Sequence, residues 1–243
     1  MSKSVKRGYV ADDKRQFGER STEILRKAAE EVRYLLDRGY PVKPSTVFVG
    51  NHYQLSERQR LSLARGVSSK KDILERERKR VRTEEGEQVK EVSIDGFNTI
   101  ITLEVMLSGS PVFLCNDGTV RDLAGLRGTY SVIDKTETAV KLLLAKLDEM
   151  NVEKTRICLD KPVSNSGRLK TLICETAENF KTKIEVEIID DVDRILYGCE
   201  NVISSDAIIL NECKSWINLI PMLMKEIPGK WLIDVYSETD GYL

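Results

Sequence analysis

From residue 89 onward, short apolar runs and helix-period stretches take turns, and this alternation constrains the fold more than anything else in the chain. VKEVSI (89–94), PVFLC (111–115), TRICL (155–159), IEVEII (184–189), NVI (201–203) and WLIDV (231–235) each read as a short buried strand. Residues 135–150, 166–180, 193–197 and 208–224 read as helices, the first burying Val140, Leu142, Leu143, Leu144 and Leu147; 98–107 is a further apolar segment, closed by a turn at Gly109. The pattern predicts an α/β fold with a parallel sheet covered on both faces.

The first third reads differently. Residues 19–38 set Ile24, Leu25, Ala28, Ala29, Val32, Leu35 and Leu36 on one helical stripe, which Gly39 and Pro41 stop. A short apolar run, Val47-Phe48-Val49, ends at Gly50-Asn51. A helix over 55–66 follows, with Ser56 as its N-cap, then a strongly charged helix over 70–82 and a linker or surface turn at 84–88. The division predicts a basic, mainly helical domain over 1–84 and an α/β domain over 85–243.

Charge divides the chain at nearly the same place. Residues 1–82 hold 21 Lys+Arg against 11 Asp+Glu, whereas 83–243 hold 17 against 28, although the net charge of the whole is only −1. A basic part suits a polyanion and an acidic part suits cations. No apolar run reaches the roughly 20 residues of a membrane span, and the first thirty residues are too polar for a signal peptide, so a cytoplasmic protein without membrane contact is expected. The five cysteines form no CxxC pair and read as reduced core thiols. A single histidine, His52, excludes zinc hydrolases built on several histidines and two-histidine ribonucleases. Chemistry here must rest on carboxylates, hydroxyls and amides.

The carboxylates sit at strand ends: Asp95, Asp160, Asp190 with Asp191, and Asp206. Parallel strands bring their C-terminal ends to one edge, where ligands of such sheets bind. Acids gathered there repel unless a cation lies between them, which suits hard Mg²⁺ or Mn²⁺ and the hydrolysis of phosphodiesters. The innocent alternative is that each acid only caps the helix that follows, and that the DG after the first strand is only a turn.

SIDGFN (93–98), LDKPVSNSG (159–167) and VISSDAIIL (202–210), in order and at strand ends, resemble the PIN-like and NYN-type nuclease superfamily over about residues 89–243. The resemblance implies metal binding by Asp95, Asp160 and Asp206 and orienting roles for Asn98 and Ser204; Asp190 and Asp191 are either the source of a fourth ligand, Asp190 being the candidate, or simply solvated. The acid that such enzymes often carry on the helix after the first strand would be Glu104. The segment 116–128 is longer than the family pattern suggests, and is either a lid or the source of Asp117 or Asp122 for the site. The whole chain, HYQLSERQRLSLARG at 52–66 included, also resembles a group of archaeal and bacterial conserved proteins of unknown function, which implies no activity.

CNDGTVRD (115–122) imitates the DxDGTxxD box of haloacid-dehalogenase-type phosphatases, but Cys115 stands where that chemistry needs its nucleophilic aspartate. In the basic segment, Arg58, Arg60, Arg65, Arg76, Arg78, Lys79, Arg80 and Arg82 are candidates for gripping phosphates; the bland alternative is a solvated helix paired with its own glutamates. The expected function is a Mg²⁺- or Mn²⁺-dependent nuclease, on RNA rather than DNA. The alternative is a non-catalytic nucleic-acid-binding protein with the same fold, and a third reading is a protein-interaction module whose halves pair. A homodimer is left open.

Overall fold

The computed structural model describes residues 5–125 and 128–236. Five helices come first: α1 (Asp13–Gln16), α2 (Glu19–Leu36), α3 (Val42–His52), α4 (Glu57–Gly66) and α5 (Lys70–Lys79). Helix α2 buries Leu25, Ala28, Ala29, Val32 and Leu36. Gly39, with φ at +83°, lets the chain reverse before Pro41, which caps α3. The run Val47-Phe48-Val49 lies inside α3: only Val49 is buried, while Phe48 is 70% exposed. Pro44 is placed in the first turn of that helix, where a missing N–H costs nothing. A full capping box between Ser56 and Gln59 starts α4, and the Ser69 hydroxyl accepts the Asp72 N–H to start α5.

The rest of the chain runs β1 (Glu91–Asp95), α6 (Gly96–Leu107), β2 (Pro111–Leu114), β3 (Val120–Asp122), α7 (Thr136–Glu149), β4 (Lys154–Asp160), α8 (Ser166–Ala177), β5 (Lys183–Ile189), α9 (Val192–Leu196), β6 (Val202–Ile203), α10 (Ala207–Glu212), α11 (Leu219–Met224) and β7 (Trp231–Asp234). The class is mixed α/β with a Rossmann-like parallel sheet. That sheet is β5-β4-β1-β6, all parallel. Numbered by their succession within it, its strands lie in the order 3-2-1-4, which is the start of the doubly wound arrangement. Ile94, Ile157 and Leu159 join Ile100 and Leu103 of α6, Leu143 and Leu147 of α7, and Leu169 and Ile173 of α8 in one core. Val192 and Leu196 of α9 and Ile209 and Leu210 of α10 form another with Cys158, Val202 and Trp216.

Two of the expected strands, PVFLC and WLIDV, leave this sheet. They form β2 and β7 of a second sheet, β3-β2-β7, with β7 parallel and β3 antiparallel to β2. The helical segment packs on this sheet: Phe17, Leu25, Val32 and Leu63 share a core with Phe113, Ile233 and Tyr236. The helix expected over 208–224 is interrupted between α10 and α11. Trp216 there bridges to Val202 and to Arg80, and its indole N–H donates to the Arg76 carbonyl at 2.7 Å. The end of α5 is thus stitched to the edge of the parallel sheet, so residues on either side of position 84 share one set of contacts.

Candidate active site

The parallel sheet changes direction between β1 and β6. From β1 the chain works outward to β4 and β5, then α9 returns it to the other side of β1. Such a switch point leaves a crevice at the strand ends. Asp95 closes β1 and Ser204-Ser205-Asp206 follows β6.

The strand-to-helix turn at Asp95 is built tightly. A side chain on Gly96 would lie 2.8 Å from the Cys158 carbonyl and 2.6 Å from Leu159, so the glycine lets α6 start directly against β4. Asp95 caps that helix, accepting the Asn98 N–H at 3.3 Å. Its other oxygen accepts the Ser204 hydroxyl at 3.0 Å. Ser204 Oγ in turn accepts the Asp206 N–H at 3.0 Å. Asn98 Oδ1 accepts the Ser205 N–H at 2.9 Å and the Ser205 hydroxyl at 2.8 Å. The two strand ends are therefore latched side by side. Asp206 caps α10 through Ile208 N–H at 2.8 Å and Ile209 N–H at 3.3 Å.

Asp95 is 6% exposed. Burial pushes its carboxyl up to about 7; Asp206 and Asp193 push the same way, and the Ser204 hydroxyl and Asn98 N–H oppose them. Its charged neighbours are acids. Asp193 is raised by desolvation and then by Asp206, Asp160 and Asp191. Asp160, the last residue of β4, is raised by desolvation and by Asp191, against the backbone of Val192. Asp95 pairs across the sheet with Cys158, so Asp160 stands two residues further along. These acids form a crescent along the edge in which Asp206 and Asp193 act on Asp95, Asp206, Asp160 and Asp191 act on Asp193, and Asp191 acts on Asp160, while the buried Arg121 guanidinium also acts on Asp206. Among the described residues, no three His, Cys, Asp or Glu are grouped so as to hold a metal ion.

Asp193 escaped the sequence reading because it lies in the first turn of α9 rather than at a strand end. Its neighbour Asp190, the candidate for a fourth ligand, is exposed and pairs with Lys161 at 3.2 Å. Asp191 caps α9 through the Arg194 N–H at 3.1 Å. Glu104 stands away from the crescent: nine residues along α6 is about 13 Å of helix. It is fully buried with Arg7, the Thr136 hydroxyl, and the Tyr130 hydroxyl at 2.8 Å.

The residues of 116–128 that are described form no lid; Leu126 and Arg127 lie outside the described residues. Asp117 is buried between Arg76 at 2.5 Å and Arg121 at 2.6 Å. Burial alone would raise its carboxyl, but Arg121 and Arg76 hold it at about 2. Arg121 also donates to the Ser205 carbonyl at 2.5 Å. Asp122 accepts the Thr102 hydroxyl and the Ala124 N–H, both at 2.7 Å. Cys115 is a buried thiol pushed by desolvation to about 11, which suits packing and not nucleophilic attack.

Most of the basic candidates are engaged inside the molecule. Arg58 pairs with buried Asp13 at 2.5 Å and Arg60 donates to the Leu55 carbonyl at 2.9 Å. Arg76 is 3% exposed and spent on Asp117, Ser68 and Asn211. Lys79 donates to the Asn211 carbonyl at 2.5 Å, Arg80 lies 3.9 Å from Glu77, and Arg82 pairs with Glu77. Arg65 donates to the Asp122 carbonyl at 2.6 Å and remains partly exposed; Arg78 is exposed. Between α2–α5 and the β1/β6 edge lies a cleft of about 920 Å³, with Asn98, Ser205 and Asp206 on one side and Arg65, Lys70 and Lys71 on the other.

Residues 85–222 match the family described as Domain of unknown function (DUF5616). The chain belongs to that family. Residues 24–79 match a second description, Protein of unknown function (DUF434). Uncharacterized protein MJ0935 of Methanocaldococcus jannaschii is 34% identical over 221 residues, covering 90% of this chain and 98% of the relative. No solved structure matches. No helix among the described residues is long and apolar enough to cross a membrane.

Proposed function

We propose that the protein is a nuclease of the PIN-like kind, hydrolysing phosphodiester bonds in RNA with a divalent cation at the β1/β6 edge. The observation that supports it is Asp95: a carboxylate buried at a switch point, whose charged neighbours, Asp206 and Asp193, are also acids. A cation at this edge would relieve the repulsion that helps raise Asp95 and Asp193.

The donor set fits a hard ion in kind, since the crescent offers oxygen atoms only. No three acids among the described residues are grouped as a closed cage, so an ion held here would keep part of its water, as Mg²⁺ does. Asp95 and Asp206 would hold it, with Asp193 and Asp160 further along the edge. When bound, such an ion activates a water and neutralises charge on the phosphate.

The chain's own groups do the positioning. Ser204 holds one Asp95 oxygen and Asn98 holds the Ser205 turn, so the two acids keep a fixed relation. With Asn98 Oδ1 engaged by Ser205, its Nδ2 is the remaining donor for a phosphate oxygen. With its carboxyl raised to about 7, Asp95 is only partly ionised near neutral pH in the apo protein, and would lose its remaining proton on becoming a ligand.

The test is cleavage of labelled single-stranded RNA with Mn²⁺ or Mg²⁺ by the wild type, Asp95→Asn and Asp206→Asn. Cation-dependent cleavage that falls at least a hundredfold in both variants is the expected result. RNA that is bound but left intact by the wild type would replace the hydrolase with the non-catalytic reading, which the helix-capping roles of Asp95 and Asp206 would then explain.

A further inference from the structure

The cleft beside the crescent is joined to it through Asp206 and Asn98, and its outer wall comes from the helical segment. Three features of that wall bear on what it admits. Lys70 and Lys71 begin α5 with exposed side chains, and Lys71 has only a loose, exposed pair with Glu75 at 4.0 Å. The acids on the same wall are already hydrogen-bonded: Asp37 accepts the Lys70 N–H at 2.7 Å and Asp72 accepts the Ser69 hydroxyl at 2.8 Å. The lips are apolar on both sides, with Tyr40 58% exposed before α3 and Ile208 58% exposed on α10.

We infer that this cleft is the path of a single polynucleotide strand, RNA, toward the acid edge. Phosphates would lie along Lys70, Lys71 and Arg65, a base would lie against Tyr40, and the strand would reach Asn98 and Asp206 at its inner end. An acidic peptide and a polynucleotide both bring negative charge toward Asp206; the flat bases that Tyr40 can stack favour the polynucleotide. A paired duplex presents backbone outward and cannot splay a base onto Tyr40, whereas an unpaired strand can. The proposal moves the phosphate grip from Arg76, Lys79, Arg80 and Arg82, which are engaged internally, to the start of α5. Its destination rests on the hydrolase reading; its binding does not.

The experiment therefore reads binding alone. Fluorescence anisotropy of a short labelled oligouridylate, in EDTA, is titrated with the full chain. The variants are Lys70→Gln/Lys71→Gln and Tyr40→Ala; the control is Lys141→Gln/Lys183→Gln, which removes the same charge from α7 and β5. All four residues changed in the two lysine pairs, and Tyr40, are exposed, so unchanged melting temperatures check the fold. Expected is a weakening of roughly fivefold or more for Tyr40→Ala. For Lys70→Gln/Lys71→Gln the slope of log affinity against log salt should be flatter by about 0.7 per lost contact. The control should match the wild type, and the same sequence annealed to its complement should bind more weakly. Equal affinity of wild type, Tyr40→Ala and Lys70→Gln/Lys71→Gln, or no binding of the single strand, would overturn the path. Binding through the cleft without Mn²⁺-dependent cleavage would sink the hydrolase and leave the path standing; cleavage unaffected by the cleft variants would do the reverse.

Discussion

Asp95 and Asp117 are both aspartates in one chain, 6% and 7% exposed, and their chemistry is opposite. Asp117 lies between two guanidiniums and stays ionised down to about pH 2. Asp95 has two hydrogen bonds, two acidic neighbours and a carboxyl raised to about 7. Burial is the largest influence on both and raises both, so the difference comes from what stands opposite each one. Where the fold supplies its own cations, an acid is structural. Where the charges acting on it are further acids, as at Asp95, repulsion is left for a ligand to relieve, even though Arg121 acts on Asp206 at the same edge.

The largest effect should come from unbalancing the structural pair. Asp117→Ala leaves Arg76 and Arg121 buried without their carboxylate, which should cost about 3–5 kcal/mol in urea unfolding. A loss under 1 kcal/mol would show that the two centres are less different than their surroundings imply. Asp95→Asn should do the opposite in the apo protein. An acid raised in the folded state favours folding at low pH, and that advantage is lost as pH rises from about 4 to 7. At pH 8 the amide should therefore stabilise the chain by up to about 4 kcal/mol, at ~1.4 kcal/mol per pH unit, and by little at pH 4. Asp117 has the reverse dependence, its contribution being lost as pH falls from about 4 toward 2.

A geometric test sharpens the same contrast. Gly96→Ala pushes a methyl against the Cys158 carbonyl and should cost about 1–3 kcal/mol, while also disturbing the angle at which Asp95 leaves β1. The smallest effect is expected at Arg78, an exposed member of the basic run: Arg78→Gln should stay within about 0.5 kcal/mol of the wild type.

The parallel sheet was legible because its strands are short apolar runs between amphipathic helices, and Asp95, Asp160 and Asp206 stand where strand ends predict. The second sheet was not legible, because PVFLC and WLIDV carry the same buried-strand pattern as β1 and β4; only pairing decides which sheet takes them. Val47-Phe48-Val49 is β-branched and aromatic, yet it lies in α3, where the start set by Pro41 and the packing of Val49 override propensity. Asp193 was missed because a helical acid one turn past a strand looks like any solvated one. The basic run misled for a related reason: charge counts do not show that Arg76 faces Asp117 or that Arg58 faces Asp13.

The central claim is that the edge at Asp95 and Asp206 is completed by a cation, and Mn²⁺ titration calorimetry at two pH values tests it most directly. Binding should be stronger at about pH 8 than at pH 6, because Asp95 must lose its proton first, and Asp95→Asn should abolish both the binding and its pH dependence. Equal heats from wild type and Asp95→Asn at both pH values would contradict the account.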